Sequence, residues 1–359
     1  MRGRVVQVVE RLGSADGVGD VVRRVSALLS TEVLDVSADA DGRLLEAFEP
    51  GPDDVVILEV AGPSALEASF ARLRAPRALH FHNITPPGFF EPGTTIREVT
   101  AAGWAQVGRL AEAADVWLVS SAFNLAALAS TCPVRRPAYV VPPPIDAALE
   151  RARPFDERRL AALRARGETN FLAVGRIVPN KRLDLVMEVF DHYHRRIDRQ
   201  SRLHLVGDPR PDPASFRAVA AYRERLGARD AIEMPGLVSD ADLRAHYLGA
   251  DVFLCLSEHE GLCFPPLIAM AHDVPVIARA AAALPETVGG GAILTDGTDP
   301  AAIATVARVL AGDPALRARL VEAGRRHLGR YATEVVRPQW ETALAALRAA
   351  GARGTRAPS

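Results

Sequence analysis

Short runs of apolar residues alternate along the chain with longer segments whose apolar positions recur every three or four residues. That alternation predicts parallel strands joined by crossover helices, and runs that are apolar at every position are those a parallel sheet buries on both faces. A first series of strands reads at 5–9, 32–36, 55–60, 77–79 and 116–120, with a helix over 21–29. A second reads at 171–174, 203–206, 232–234, 251–256 and 274–278, with helices opening near Asp184, Ala214 and Ser239 and filling 300–310 and 314–328. Ser239 followed by Asp242 is close to a capping box. A final helix over 336–350 carries Trp340, and 351–359 reads as a disordered tail. The expected class is α/β. Between the two series, YVVPPPID at 139–146 sets three prolines in a row where few contacts cross, so the domains are expected at 1–148 and 149–335.

The second series is organised around 257–270, SEHEGLCFPPLIAM, which joins two of its strands. Pro265 and Pro266 fit only a first helical turn, so the polar residues ahead of them form a loop facing a helix N-terminus. Glu260 and Gly261 then lie at a strand's carboxyl end, where open α/β sheets bind ligands and backbone N–H groups favour anions. An ordinary strand–loop–helix connection would use the same residues.

Composition narrows the class. A chain of 359 residues exceeds one ordinary core and points to two domains, and 48% hydrophobic with 24% charged residues excludes a disordered or fibrous protein. The net charge of -1 offers no general attraction to nucleic acid or to an anionic membrane, so an anionic ligand has to be held by local groups. No apolar run reaches membrane-spanning length, and the first residues move into a strand-like segment without a signal-peptide pattern. A cytoplasmic location without integral membrane association is expected. Cys132, Cys255 and Cys263 lack metal-ligand spacing and, being odd in number, cannot form a complete disulfide set; reduced thiols and no metal site are expected.

Of the 43 basic residues only Lys181 is a lysine, and it lies in VGRIVPNK beside Arg176. Lysine meets phosphate as a point charge and arginine as a planar fork, so the pair suits an oligophosphate. Gly17 and Gly19, after the first strand, let backbone approach a bound anion at the start of the next helix, although a plain turn accounts for them as well. In HFHNITPPGFF, at 80–90, paired prolines stiffen a loop that can present His82 and Asn83 to a cleft, or leave the histidine satisfied by backbone groups. Ser120, Ser121 and Asn124 stand at a strand's carboxyl end, placed to cap the next helix or to meet a ligand.

Together VGRIVPNKRLD, HLVG, SDADLRAHYLGADVFLCLSEHEGLCFPPLIAMAHDVPVIA and LPETVG resemble the C-terminal half of family-4 retaining glycosyltransferases of the GT-B fold. HFHNITPPGFF resembles a segment of a bacterial subgroup of that family, and ADGVGDVV its N-terminal glycine loop. The resemblance implies two doubly wound, Rossmann-like domains facing each other across a cleft, with the last helix returning to the first. It also implies transfer of a glycosyl group, with retention of configuration, from a UDP- or GDP-linked nucleotide sugar to a small-molecule or glycan acceptor. The nucleotide sugar is a substrate, and no cofactor or metal is called for.

By position, Arg176 and Lys181, just after Gly175, match the family's basic pair at the donor diphosphate, and Gly17 and Gly19 match the loop lying against it. Glu260 matches the glutamate holding the transferred sugar, Gly261 and Leu262 the backbone at the diphosphate, and His82 a histidine near the reacting centre. Asn83, Ser120, Ser121 and Asn124 fall on the acceptor side. The family's second glutamate, which takes the donor ribose hydroxyls, corresponds here to Ile268. A GT-B epimerase or phosphorylase would keep the same phosphate cradle, and a non-catalytic or atypical-donor protein would tolerate Ile268. Intact Arg176, Lys181 and Glu260 favour transfer.

Overall fold

The computed structural model describes residues 3–10, 12, 17–36, 45, 49–51, 53–165 and 169–354. They divide into two units, Met1–Ile145 with Tyr331–Ser359, and Asp146–Arg330. Each unit is built on a six-stranded sheet whose pairings are all parallel.

The first sheet contains β1 (Val5–Val9), β2 (Glu32–Asp35), β3 (Val55–Val60), β4 (Arg77–Phe81), β5 (Val116–Val119) and β6 (Ala138–Val140), in the order β2-β1-β3-β4-β5-β6. Every residue of β1, β3 and β5 is buried, as the uninterrupted apolar runs require. Gln7 is the polar exception in β1, and its amide donates to Val22 O at 3.3 Å and Thr31 Oγ1 at 2.5 Å. Helix α1 (Gly17–Leu29) lays Val21, Val22, Val25 and Leu28 onto the core. Helices α2 (Glu67–Arg72), α3 (Thr95–Ala113) and α4 (Ala122–Ala129) follow; periodicity anticipated none of them, and only α4 was expected, from the capping residues after β5. In α3 alanines and glycines dilute the apolar stripe: only Gly103, Val107, Leu110 and Ala111 are buried.

The second unit begins with α5 (Ala147–Ala152) and α6 (Glu157–Arg164), capped by Asp146 and Asp156. Its sheet contains β7 (Asn170–Val174), β8 (Arg202–Val206), β9 (Ile232–Gly236), β10 (Val252–Cys255), β11 (Val276–Arg279) and β12 (Ala292–Thr295), in the order β12-β11-β10-β7-β8-β9. The edge strand β12, half-exposed and four residues long, left no legible run. The connecting helices are α7 (Leu183–Arg196), α8 (Pro213–Arg223), α9 (Asp240–Gly249), α10 (Phe264–Ala271), α11 (Leu284–Val288), α12 (Pro300–Gly312) and α13 (Pro314–Leu328). As expected, Ser239 caps α9 by accepting from Asp242 N, and Pro265 and Pro266 sit in the first turn of α10. The final helix, α14 (Thr333–Gly354), is longer than the expected 336–350 and takes in the start of the expected tail. Residues 355–359 of that tail lie outside the described residues.

Strand order decides where a ligand fits in the second unit. The chain winds from β7 outward to β9, returns to β10 beside β7, and then winds outward to β12 on the other side. The carboxyl ends of β7 and β10 therefore flank a topological switch point, the crevice where doubly wound sheets take ligands. Close backbone packing shapes one wall of it: a Cβ on Gly207, just past β8, would lie 1.7 Å from Gly175 O, just past β7. Gly207→Ala is expected to cost about 2–4 kcal/mol of stability, because no rotamer relieves a clash with backbone. Urea denaturation of the purified variant checks this, and a loss below about 0.5 kcal/mol would mean the two turns part freely.

Candidate functional site

Gly175, with φ +153°, follows β7, and the tight turn Pro179–Lys181 follows it. The Lys181 side chain lies over this glycine: a Cβ there would come within 3.3 Å of Lys181 Cε and 3.4 Å of Nζ. Past β10, the loop into α10 brings Glu260 to the same place. Lys181 Nζ donates to Glu260 Oε1 at 2.5 Å, with the side chains 13% and 10% exposed.

Several contacts fix the loop to the turn. Asn180 O accepts from Glu258 N at 2.8 Å, and Asn180 Nδ2 donates to His259 O at 2.9 Å. Arg182, turned into the left-handed region at φ +50°, binds the carboxylates of Asp184 and Glu258, and Arg279 at the end of β11 donates to the same Glu258 oxygen at 2.7 Å. From the other side Ala283 N donates to Glu260 O at 3.3 Å, and the buried Thr287 hydroxyl donates to Leu262 O. The side chains of Asn180, Arg182, Glu258 and Arg279 were not singled out in the sequence. The first acid in SEHE and the arginine directly after Lys181 were the available signals.

The electrostatics follow from this packing. Burial pushes the Glu260 carboxyl up, but the Lys181 ammonium outweighs it and holds the carboxyl below its usual range. Burial likewise opposes the charge on Lys181, and Glu260 raises its pKa above the usual value. Cys255 Sγ lies 3.8 Å from Cys263 Sγ and 3.9 Å from Ser257 Oγ. The contact with Cys263 lowers the pKa of Cys255, while that of Cys263 is pushed well above the usual thiol value by Cys255 and by burial.

Of the other expected donor-side residues, Arg176 is exposed, and after Arg210 its charge helps to hold Asp208 below its usual pKa. Gly261 is half-buried and Leu262 buried in the loop. Ile268 is half-buried on α10, whereas Leu267 and Ala269 beside it are fully buried, so Ile268 lies off the core face. Gly17 and Gly19 belong to the first turn of α1, and a Cβ on Gly17 would meet nothing within 4 Å. Residues 13–16, ahead of them, lie outside the described residues.

In the first unit His82 follows β4 directly. Glu59, the one acid in the apolar run of β3, places Oε2 2.6 Å from His82 Nε2 and 2.8 Å from His80 Nδ1, all three side chains being buried. His80 also meets Trp340 edge-on, with 5.3 Å between centroids. Asn83, at φ +76°, donates from Nδ2 to Asn124 Oδ1 at 2.9 Å. Ser121 caps α4 by accepting from Asn124 N at 3.1 Å, and Ser120 is buried with no partner for its hydroxyl among the described residues. Three of the four residues expected on the acceptor side thus bind one another.

Burial works against the Glu59 carboxylate, but the charges and hydrogen bonds of His80 and His82 bring its pKa from 4.5 down to about 2. A folded value below the unfolded one means the ionised group contributes stability above pH 4.5 and loses it as the pH falls through about 2. Glu59→Gln is expected to be less stable at pH 7 and to show a shallower loss of stability on acidification through that window. Parallel denaturation curves for the two proteins from pH 7 to 3 would refute the assignment.

Residues 155–327 match a family model described as glycosyl transferases group 1. The chain is 32% identical over 210 residues to D-inositol 3-phosphate glycosyltransferase of Streptomyces avermitilis, a match covering 55% of this chain and 43% of that protein. The chain thus spans less than half the length of that curated relative. Among solved structures, Anabaena HepE in complex with UDP-glucose superposes with a TM-score of 0.73 at 15% identity, over 95% of this chain and 99% of that one. The α,α-trehalose 6-phosphate synthase of Burkholderia multivorans superposes with a TM-score of 0.70 at 14% identity over 100% of both. With the two parallel sheets, these neighbours establish a two-domain, Rossmann-like GT-B fold.

Proposed function

We propose that this chain is a family-4 retaining glycosyltransferase that moves a glycosyl group from a UDP- or GDP-linked sugar to an acceptor hydroxyl or another nucleophile. The observation carrying the reading is the partly buried Lys181–Glu260 pair at the switch point, in the segment 155–327 that matches the glycosyl transferases group 1 family. On this reading the ammonium of Lys181 and the exposed guanidinium of Arg176 meet the donor diphosphate, and Glu260 turns to hydroxyls of the transferred sugar. The departing diphosphate gains negative charge, and the neighbouring cations stabilise it. Pro265 and Pro266 carry no N–H, so backbone donors to the anion come from the loop residues Gly261 to Phe264. The diphosphate oxygen takes the acceptor's proton on the face it leaves, so no protein nucleophile is invoked. His82, oriented by Glu59, is assigned to the acceptor side of the reacting carbon.

The reading is tested by incubating the protein with UDP- and GDP-sugars and measuring release of the nucleoside diphosphate. Glu260→Gln is expected to lower turnover by about a hundredfold and to leave affinity for the bare nucleoside diphosphate nearly unchanged, since the lost contact is to the sugar. Equal losses for both ligands would refute the assignment.

Ile268 supports a second reading, a non-catalytic or atypical-donor protein, because its side chain accepts no hydrogen bond from a ribose. It is half-buried and not in the fully buried core, so a carboxylate can be tried there. If the ribose lies beside it, Ile268→Glu is expected to tighten a ribonucleoside diphosphate by about tenfold or more. Calorimetry showing no gain would place the ribose elsewhere.

A further inference from the structure

Two buried clusters bring together groups able to hold a metal ion: Glu59 with His80 and His82, and Cys255 with Glu260 and Cys263. Their spacings differ in kind. The Glu59 contacts of 2.6 and 2.8 Å are no longer than hydrogen bonds, and both rings meet the same carboxylate oxygen. The two sulfurs are 3.8 Å apart, and their positions and a Glu260 oxygen all lie within 4.8 Å of one another. Sulfurs each about 2.3 Å from one tetrahedral zinc ion sit about 3.8 Å apart, so the pair already has the separation of two ligands of one ion.

We propose that Cys255, Cys263 and Glu260 form a binding site for a thiophilic divalent cation such as zinc. The linear spacing in LCLSEHEGLCF gave no sign of it, because the loop has to fold back from the end of β10 to the start of α10 to bring the sulfurs together. Charge is balanced in both states. Without the ion, two neutral thiols lie beside the Lys181–Glu260 pair. With it, two thiolates and a carboxylate carry three negative charges, which the divalent ion and the Lys181 ammonium neutralise. The site therefore exchanges two protons for one ion and leaves no net charge buried. Metal–sulfur bonds replace the two S–H bonds, the protons pass to solvent, and nothing is oxidised. The fourth ligand position is left to water or the Ser257 hydroxyl. The inference does not depend on the transferase reading, although an ion here would engage the carboxylate that reading gives to the sugar.

Cadmium is the probe, since its thiolate bonds give an ultraviolet charge-transfer band. Freshly reduced protein titrated with Cd²⁺ is expected to saturate at one ion per chain and, in a pH-stat, to release two protons per ion. Cys255→Ser and Cys263→Ser are each expected to weaken binding by roughly a hundredfold, Glu260→Gln by roughly tenfold, and Cys132→Ser not at all. Absence of the band, or a band that titrates with unchanged affinity in either Cys255→Ser or Cys263→Ser, overturns the proposal. So does release of no protons from the wild type, a measurement that does not require any variant to fold. All of these are read without a glycosyl donor, so failure here and failure of the transferase reading are told apart.

Discussion

Burying an ammonium against a carboxylate sacrifices several kcal/mol of hydration for each ion, and their attraction recovers it only when the geometry is tight and the remaining polar atoms are satisfied. The second unit is arranged to meet that condition at Lys181 and Glu260. Gly175 clears a path for the lysine stem, Asn180 binds the Glu260 loop through both backbone and amide, and Thr287 holds the loop from behind. A second carboxylate, Glu258, gathers Arg182 and Arg279 on the flank, so charges at the carboxyl ends of three strands are matched locally.

The first unit uses the same principle with different chemistry. Glu59 is buried more deeply, and its partners are two imidazoles and not an ammonium. A histidine donating one ring nitrogen to a buried carboxylate is held in a single tautomer and orientation. Each unit thus keeps one buried acid at or near the carboxyl edge of its sheet, paired with nitrogen donors from a neighbouring strand or turn.

Much of this was legible in the sequence, for identifiable reasons. The run VFLC is apolar at every position, and VVILEV at all but Glu59, because a parallel sheet buries both faces, and paired prolines announced the start of α10. Lys181 was singled out by its rarity and Glu260 by its place after a strand, and the structure joins them directly. What stayed hidden depends on distant partners. Glu59 reads as a stray acid until β4 brings two histidines beside it, and the sulfurs of Cys255 and Cys263 come together only once the loop folds. Helix α3 was missed because alanine and glycine thin its stripe, and Gly103 there lets the helix approach Ile84 and the 62–63 backbone closely. The expected acceptor-side residues Asn83, Ser121 and Asn124 were recognisable as polar, but sequence could not tell that they bind each other.

The chain path has a consequence for synthesis. Helix α14 belongs to the first unit: Trp340 is fully buried, donates to Pro142 O at 3.0 Å and packs on His80, while Tyr331 O accepts from Ile145 N at 2.8 Å. The second unit is contiguous, 146–330, but the first is completed only by residues after 330. On a ribosome the earlier-made sheet therefore emerges without one of its core aromatics and waits through the whole second unit before α14 arrives to cover it. The order of translation is thus the reverse of the order in which the two cores can close, and the nascent first sheet spends that interval with apolar surface exposed to chaperones.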